Sequence, residues 1–219
     1  MSDTDGGDST RRTNGLPAQP AGGGQTILVT GGAGYIGSHT IRALRSAGHD
    51  VVAIDTLAFG AREALLDTPF EQVDIADRDG VAKVCTTYGV TSAIHFAAYK
   101  NVGESMRLPE RYFSNNVGGT SALAEVLVDH GVTSMVFSSS CSVYGTPPVM
   151  PVAETSAIQP ESVYAETKAM SEKVLFWYGE VHGLRSVSLR YFNAAGASSD
   201  NVIGEDWELS LNLIPVVMK

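Results

Sequence analysis

Short runs of apolar and β-branched residues alternate along the chain with longer segments that carry apolar residues at helical spacing. Six runs are predicted as strands, at residues 26–30, 50–55, a short run ending near 73, 92–97, 133–139 and 185–192. Helices are predicted between them at residues 35–47, 77–88, 109–130 and 161–182, and a further helix opens near residue 210. Strands that alternate with helices indicate parallel βαβ units. The pattern therefore predicts an α/β fold, a doubly wound parallel sheet with helices on both faces.

The composition narrows the class of protein. The chain has 219 residues, 15 lysines and arginines against 24 aspartates and glutamates, a net charge of −9, and 43% hydrophobic residues. The hydrophobic share suits a folded core, and the acidic balance argues against nucleic acid as a partner, because phosphate binding needs a basic surface. The two cysteines are too few for a disulfide scaffold or a structural zinc site. We therefore expect neither a metal site nor, since no apolar stretch is long enough, a membrane span.

The first 25 residues differ from the rest. They are rich in Gly, Asp, Ser, Thr and Pro, and they lack the apolar core of a signal peptide. Such a segment cannot bury enough surface to offset its ordering entropy, so residues 1–25 are predicted to be a disordered tail. Reduced cysteines and the lack of a targeting signal favour the cytoplasm.

A glycine-rich turn follows the first strand and opens the first helix. Gly31, Gly34 and Gly37 form GxxGxxG, and with Gly32 the same turn also satisfies GxGxxG. Such glycines allow the backbone to approach a pyrophosphate at a helix N-terminus, so the turn predicts a Rossmann dinucleotide site. Asp55 ends the second strand about 20 residues later, where it would accept a hydrogen bond from a ribose hydroxyl. Its carboxylate would repel the 2′-phosphate of NADP, so NAD is favoured.

A tyrosine and a lysine stand four residues apart in the predicted helix at residues 161–182. Tyr164 and Lys168 therefore share one helix face, where a cation can lower the pKa of a phenol towards neutrality. Ser140 follows the fifth strand, at the sheet edge where ligands bind in this class of fold. A serine there can be an ordinary polar exit into a loop, but the nearby Tyr164–Lys168 pair favours a contact with a substrate hydroxyl.

Six blocks in order carry a resemblance to a known family: VTGGAGYIGSH, HFAAYKNVGES, NNVGGT, FSSSCSVYG, YAETK and RYFNAAGA. They resemble the UDP-glucose 4-epimerases of the extended short-chain dehydrogenase/reductase family, over residues 26–219. The resemblance implies that Tyr164 is the catalytic base, that Lys168 lowers its pKa and holds the nicotinamide ribose, and that Ser140 contacts the substrate. It also implies NAD as cofactor and UDP-glucose and UDP-galactose as substrates.

The resemblance and the glycine motif together assign binding residues. Cofactor contacts are expected from Gly31, Gly34, Tyr35, Ile36, Gly37, Asp55, Thr56, Leu57, Ala58, Phe59, Gly60, Asp74, Ile75, Phe96, Ala97, Ala98, Tyr99, Lys100, Asn115, Ser140, Tyr164, Lys168 and Phe192. Contacts with the UDP-sugar are expected from Ser140, Tyr164, Asn193, Asn212 and Leu213. Cys141, His39 and His95 are interpreted as structural residues.

The family implies a mechanism in which the sugar C4 loses a proton and a hydride to give a 4-keto sugar, which turns over and is reduced on its other face. Related dehydratases and decarboxylases carry an acid just after the fifth strand, and residues 140–144 contain none. A 4-epimerase of UDP-xylose or UDP-arabinose, or of UDP-N-acetylglucosamine, stays open, as does a non-catalytic NAD-binding protein.

Two further expectations follow from the resemblance. Family members continue past the position of Lys219 into a lobe that closes over the UDP-sugar, so residues 26–219 are expected to be an NAD-binding Rossmann domain truncated before that lobe. An apolar stripe of Met170, Val174 and Trp177 lies on the helix that pairs, in this family, with the helix at residues 117–127 across a dimer interface. The stripe alone would suit a core-facing helix, but the resemblance favours a homodimer.

Overall fold

The computed structural model describes residues 25–206, 210 and 212–218. Apart from residue 25, the predicted disordered tail lies outside the described residues.

Six parallel strands form one sheet, which confirms the predicted fold class. In chain order they are β1 (Thr26–Thr30), β2 (Asp50–Ile54), β3 (Phe70–Glu71), β4 (Val90–His95), β5 (Ser134–Ser140) and β6 (Arg185–Tyr191). Their order across the sheet is β3-β2-β1-β4-β5-β6. Strands β2 and β3 are therefore added on one side of β1, and strands β4 to β6 on the other. In doubly wound sheets a ligand crevice forms beyond the carboxyl ends of the strands where the order reverses in this way.

Helices connect the strands. They are α1 (Tyr35–Ser46), α2 (Arg78–Tyr88), α3 (Val102–Ser105), α4 (Pro109–Tyr112), α5 (Gly119–Asp129), α6 (Val163–His182) and α7 (Leu213–Met218), with short 3₁₀ turns at Arg62–Leu65 and Cys141–Tyr144. Local signals set several ends: the Asp77 carboxylate caps α2, the Ser162 hydroxyl caps α6, and left-handed glycines at 89 and 183 end both helices. The sequence prediction missed α3, which is too short to show a periodicity.

The predicted helix at residues 109–130 is divided in the structure. A π-helical segment, Phe113–Gly118, separates α4 from α5. Gly119 follows it, and a Cβ there would lie 2.7 Å from Ile75 Cδ1, so the widened turn brings the backbone close to the loop after β3. Apolar periodicity does not distinguish an α-turn from a π-turn, which is why the sequence predicted one continuous helix.

Two apolar clusters hold the layers together on opposite faces of the sheet. The larger joins the sheet to α2, α5 and α6, and includes Leu28, Leu123 and Phe137, all almost inaccessible to solvent. The smaller joins the other face to α1 and includes Val29 and Ile41.

The strand β6 differs from the expectation that the strands are covered on both faces. Its side chains alternate between exposed and partly buried, and Val187 is 58% exposed. Among the described residues, β6 is therefore an edge strand with one face open.

No helix among the described residues is both long and apolar enough to cross a membrane.

Candidate active site

The loops at the carboxyl edge of the sheet contain most of the residues predicted to bind the cofactor. The glycine turn follows β1, residues 55–60 follow β2, and residues 96–100 follow β4. Ser140 ends β5, while Tyr164 and Lys168 lie in the first two turns of α6. The parallel topology thus gathers side chains that are more than 100 residues apart in sequence.

The glycine turn is packed so closely that larger residues would not fit. Gly31 has φ of +67°, and a Cβ on it would lie 2.6 Å from the backbone nitrogen of Ala97. A Cβ on Gly37 would lie 2.2 Å from the carbonyl oxygen of Gly31. The turn opens α1, whose N-terminal end no side chain caps. Backbone N–H groups at such an end can bind a phosphate, so this turn fits the pyrophosphate of a dinucleotide.

Asp55 connects the glycine turn to the loop after β2. One carboxylate oxygen accepts a hydrogen bond from the Ala33 backbone at 3.1 Å, and the other accepts one from the Leu57 backbone at 2.8 Å. Burial raises the pKa of this carboxyl group, although the backbone hydrogen bonds act in the opposite direction. Farther along the same loop, Phe59 packs edge-on against Tyr99, with ring centroids 5.7 Å apart. The loops after β1, β2 and β4 therefore contact one another around one crevice.

Lys168 is buried between β5 and α6. Its Nζ donates a hydrogen bond to the Ser138 carbonyl oxygen at 2.8 Å and lies 4.9 Å from the centre of the Phe137 ring. Burial lowers the pKa of the amine to about 7. The same Nζ lies 5.9 Å from the centre of the Tyr164 ring, so the two side chains share a helix face as predicted.

The pKa of the Tyr164 phenol moves in the direction opposite to the sequence-based expectation. Burial raises it and is the largest effect, while the neighbouring Ser140 hydroxyl lowers it. The Lys168 amine, whose own pKa is about 7, carries no charge in the range where the phenol titrates, so it does not offset the burial. Ser140 itself accepts hydrogen bonds from the backbone N–H and the hydroxyl of Ser142, at 3.2 and 2.8 Å, which fixes its rotamer at the start of the 3₁₀ turn.

Asn116 is a central residue that the sequence analysis missed. It lies in the π-helical segment and is 2% exposed. Its amide exchanges hydrogen bonds with both the backbone N–H and the carbonyl of Tyr99, at 2.9 and 3.0 Å, and also donates to Thr167 Oγ1 at 3.0 Å. Thr167 in turn donates to the Tyr164 carbonyl at 2.7 Å. Asn115, the predicted cofactor contact, donates to Asn116 Oδ1, and no local signal distinguishes the two asparagines.

His95 is a structural residue, as interpreted from the sequence. Its two ring nitrogens are hydrogen-bonded to Thr30 Oγ1 at 2.7 Å and Thr120 Oγ1 at 2.9 Å. Burial, assisted by the nearby charge of Lys168, lowers the pKa of its imidazole to about 3. The described residues contain no cluster of His, Cys, Asp or Glu that could hold a metal ion.

The chain after β6 contains three of the predicted sugar-nucleotide contacts, Asn193, Asn212 and Leu213, and the predicted cofactor residue Phe192. Phe192, at the end of β6, is 65% exposed, and Asn193 beside it is also exposed. The next residues fold back onto α1, where the Tyr35 hydroxyl donates to the Gly196 carbonyl at 2.7 Å. Asn212 contacts the Glu205 carboxylate, and Leu213 begins α7 with an exposed side chain. Among the described residues, the Asn212 amide therefore contacts Glu205 and not Ser140, Tyr164 or Lys168.

Asp74, Ile75 and Lys100 are further predicted cofactor residues, and they lie in loops at the carboxyl edge of the sheet. Asp74 and Ile75 follow β3, where the Asp74 carboxylate accepts a hydrogen bond from the Ala76 backbone at 2.8 Å and Ile75 is buried. Lys100 is exposed at the end of the loop after β4.

The buried amine of Lys168 predicts a pH dependence of stability. In the unfolded chain its pKa is near 10.5, whereas in the fold it is about 7, so between these values the unfolded state binds more protons. This group alone then makes the folded state more stable as pH rises from 7 towards 10, by at most about 1.4 kcal/mol per pH unit. We expect Lys168→Met to flatten the curve of unfolding free energy against pH, measured by urea denaturation between pH 7 and 9.

Lys173→Met, at an exposed position of the same helix, provides the matched control, and its unfolding free energy should change with pH as that of the wild type does. Parallel curves for wild type and Lys168→Met would show that the amine stays protonated in the fold across this range.

The chain is similar to known proteins over most of its length. Residues 27–207 match the NAD dependent epimerase/dehydratase family. The UDP-glucose 4-epimerase of Halalkalibacterium halodurans is 45% identical over 193 residues, which cover 88% of this chain and 58% of that protein. The crystal structure of a UDP-glucose 4-epimerase from Brucella ovis in complex with NAD is 40% identical with a TM-score of 0.86, and covers 89% of this chain and 60% of that one.

A third relative is a structure of UDP-glucose-4-epimerase from Stenotrophomonas maltophila with bound NAD and formylated UDP-arabinopyranose. It is 39% identical with a TM-score of 0.83, and covers 87% of this chain and 60% of that one. The chain thus spans somewhat less than two thirds of the length of the relatives that it matches. It belongs to the NAD dependent epimerase/dehydratase family, with UDP-glucose 4-epimerases among its relatives.

Proposed function

We propose that this chain carries the NAD site and the catalytic group of a UDP-glucose 4-epimerase, which interconverts UDP-glucose and UDP-galactose through a 4-keto sugar. The observation that carries the proposal is the grouping of Ser140, Tyr164 and Lys168 at the same edge of the sheet as the glycine turn. A glycine turn alone would suit any dinucleotide-binding protein. A phenol next to a serine hydroxyl, with a buried amine on the same helix face, supplies the groups needed to move a proton at a sugar hydroxyl.

The residues present fit NAD. Gly31 and Gly37 are packed too closely for side chains, so no Cβ covers the backbone of the turn at the N-terminus of α1, which suits the pyrophosphate. Asp55 would hold the adenine ribose, the loop at residues 96–100 would line the cofactor, and Lys168 would hold the nicotinamide ribose. When bound, the nicotinamide accepts a hydride from the sugar C4 and returns it, so the cycle needs no other redox partner.

The chain's own residues would handle the proton. Tyr164 would take the proton of the C4 hydroxyl as the C4–H hydride leaves, and would give it back when the 4-keto sugar is reduced on its other face. Ser140 would hydrogen-bond to the same oxygen and keep it against the phenol. The buried Lys168, when protonated, would favour the phenolate, and loss of water from the crevice on substrate binding would strengthen that attraction.

The same catalytic group would serve a 4-epimerase of UDP-arabinose, UDP-xylose or UDP-N-acetylglucosamine. The residues that would meet the outer part of the sugar belong to the segment after β6, where Phe192 and Asn193 are exposed. The preference for glucose and galactose therefore rests on similarity, and a panel of UDP-sugars is part of the test below. A non-catalytic NAD-binding protein would not need the buried amine, whose burial disfavours its charge.

We further propose a homodimer that forms through α6, and a cytoplasmic location. Four large apolar side chains of α6 are exposed: Met170, Phe176, Trp177 and Val181. Exposed aromatic and apolar side chains along one helix are typical of a protein interface. This agrees with the dimer helices that the family resemblance implies.

Replacing an aromatic residue on this surface tests the dimer. Trp177→Asp should convert a dimer into a monomer in sedimentation velocity at micromolar concentration, because it places a charge within an apolar interface. Val149→Asp, at an exposed loop position, should sediment like the wild type. A monomeric wild type would contradict the dimer.

Cofactor preference tests the role of Asp55. We expect NAD to bind more tightly than NADP, because the carboxylate would repel the 2′-phosphate, and we expect Asp55→Asn to narrow the difference. Asp50→Asn, at the exposed start of β2, is the matched control. The measurement is isothermal titration with each cofactor, and equal or tighter binding of NADP by the wild type would remove this role from Asp55.

Removing the Tyr164 hydroxyl tests the proposed reaction. Tyr164→Phe should bind NAD like the wild type but lose about 10²- to 10⁴-fold in turnover, because it lacks the proton acceptor. The assay follows UDP-glucose formed from UDP-galactose, and repeats the measurement with UDP-arabinose and UDP-N-acetylgalactosamine. It is performed on the 219-residue chain and on a fusion to the part of the Halalkalibacterium relative that the alignment leaves uncovered.

Tyr88→Phe is the matched control, since its hydroxyl contacts only the remote Glu71 and should not matter. If Tyr164→Phe kept nearly full turnover, the proton acceptor would be another group. If neither protein formed product from any sugar, the epimerase proposal would fail.

A further inference from the structure

The first turn of α6, which carries Tyr164, is held by side chains from another segment of the chain. A helix leaves its first four backbone N–H groups without partners inside the helix. The Ser162 hydroxyl satisfies one of them by accepting from Ala165 at 3.2 Å. Two others are satisfied from the end of α3, where Met106 Sδ accepts from Val163 at 3.4 Å and Ser105 Oγ accepts from Tyr164 at 3.1 Å.

The direction of the Ser105 hydrogen bonds is fixed by its own chemistry. Its hydroxyl has one proton, which it donates to the Val102 carbonyl at 2.7 Å. The oxygen is then an acceptor for the Tyr164 N–H. Ser105 is fully buried, so no water can readily replace it.

Ser105 is in turn anchored to the loop that is proposed to hold the cofactor. Asn101 follows that loop directly, and its side chain caps α3 by accepting from the Glu104 backbone at 2.9 Å. The Glu104 carboxylate accepts from Arg111 at 2.9 Å and from the buried Tyr112 hydroxyl at 2.7 Å. Ser105 therefore sits on a rigid support at the end of residues 96–101.

We propose that Ser105 is a positioning residue for Tyr164: by holding its backbone N–H, Ser105 keeps the phenol beside the Ser140 hydroxyl. The Tyr164 carbonyl is already held by Thr167, so the Ser105 bond completes the fixation of this residue from both ends of its backbone. This inference rests on the proposed role of Tyr164 as proton acceptor. Nothing in the sequence points to it, because Ser105 lies 59 residues from Tyr164.

The test removes the Ser105 oxygen and compares it with the loss of an ordinary helix cap. Ser105→Ala leaves the Tyr164 N–H buried without an acceptor. Asp77→Ala removes the cap of α2, where the Asp77 carboxylate accepts from Gly80 at 3.0 Å, and serves as the matched control. Both variants should lower the melting temperature by a few degrees.

Two measurements separate positioning from stability. Amide hydrogen exchange at Tyr164 should become about tenfold faster or more in Ser105→Ala, while Glu166 in the same turn keeps its rate. The Tyr164 phenol, followed by NMR of ¹³Cζ-labelled tyrosine and assigned with Tyr164→Phe, should titrate at a higher pH, because the phenol moves away from the Ser140 hydroxyl that lowers its pKa. Asp77→Ala should change neither.

The conservative variant and turnover complete the test. Ser105→Cys keeps the volume and a weak acceptor, so it should give intermediate exchange and titration, and it decides the question if Ser105→Ala does not fold. In an active form of the protein, Ser105→Ala should lower kcat several-fold with the KM for the UDP-sugar nearly unchanged.

The outcomes distinguish this inference from the proposed function. If Tyr164 exchanges and titrates in Ser105→Ala as it does in Asp77→Ala, Ser105 is only structural and the inference is wrong. If only Ser105→Cys folds, the same comparison is made with that variant. If those two readouts change but the wild type turns over no UDP-sugar, the positioning holds and the epimerase proposal fails.

Discussion

The burial of one lysine amine between β5 and α6 is the constraint on which the rest of the site depends. An ammonium group in such surroundings is costly, and the low pKa of Lys168 reflects that cost. The hydrogen bond to the Ser138 carbonyl and the adjacent face of the Phe137 ring partly compensate. They do so only if α6 packs against β5 at one position along the strand. Once that position is set, Tyr164, one turn before Lys168, must lie beside Ser140, which ends the same strand.

That packing needs support on both sides of α6, and two polar systems provide it. On one side, Asn116 holds Thr167, and the Ser171 hydroxyl shares its one proton between the Thr167 carbonyl at 2.8 Å and the Asn116 carbonyl at 3.1 Å. On the other, Arg190 of β6 forms a two-point ion pair with Glu172, while its third nitrogen donates to the Tyr144 hydroxyl at 2.6 Å. Because these groups are largely buried and mutually satisfied, they fix orientation more than they add stability.

The sequence predicted those features whose cause is local. The six strands, the four long helical patterns and the glycine turn each follow from a periodicity or a motif within about 20 residues, and the i, i+4 spacing placed Tyr164 and Lys168 on one face. The π-helical segment, the role of Asn116 and the contact between Ser105 and Tyr164 all arise from tertiary packing. The pKa of Tyr164 illustrates the same limit, since spacing shows that an amine is near but not that burial raises the pKa of the phenol and lowers that of the amine.

The loop proposed to line the cofactor and the phenol proposed as proton acceptor are parts of one hydrogen-bonded structure. Asn116 holds Tyr99 in the loop after β4 and Thr167 in α6 with a single amide, so neither segment can shift without breaking a buried hydrogen bond. An unpaired buried polar group typically costs about 1–3 kcal/mol. Under the proposed function this has a consequence for catalysis: a ligand that orders residues 96–100 also stabilises the position of Tyr164. Proton acceptor and hydride acceptor would then be brought into register by the same contacts, before any sugar nucleotide enters the crevice.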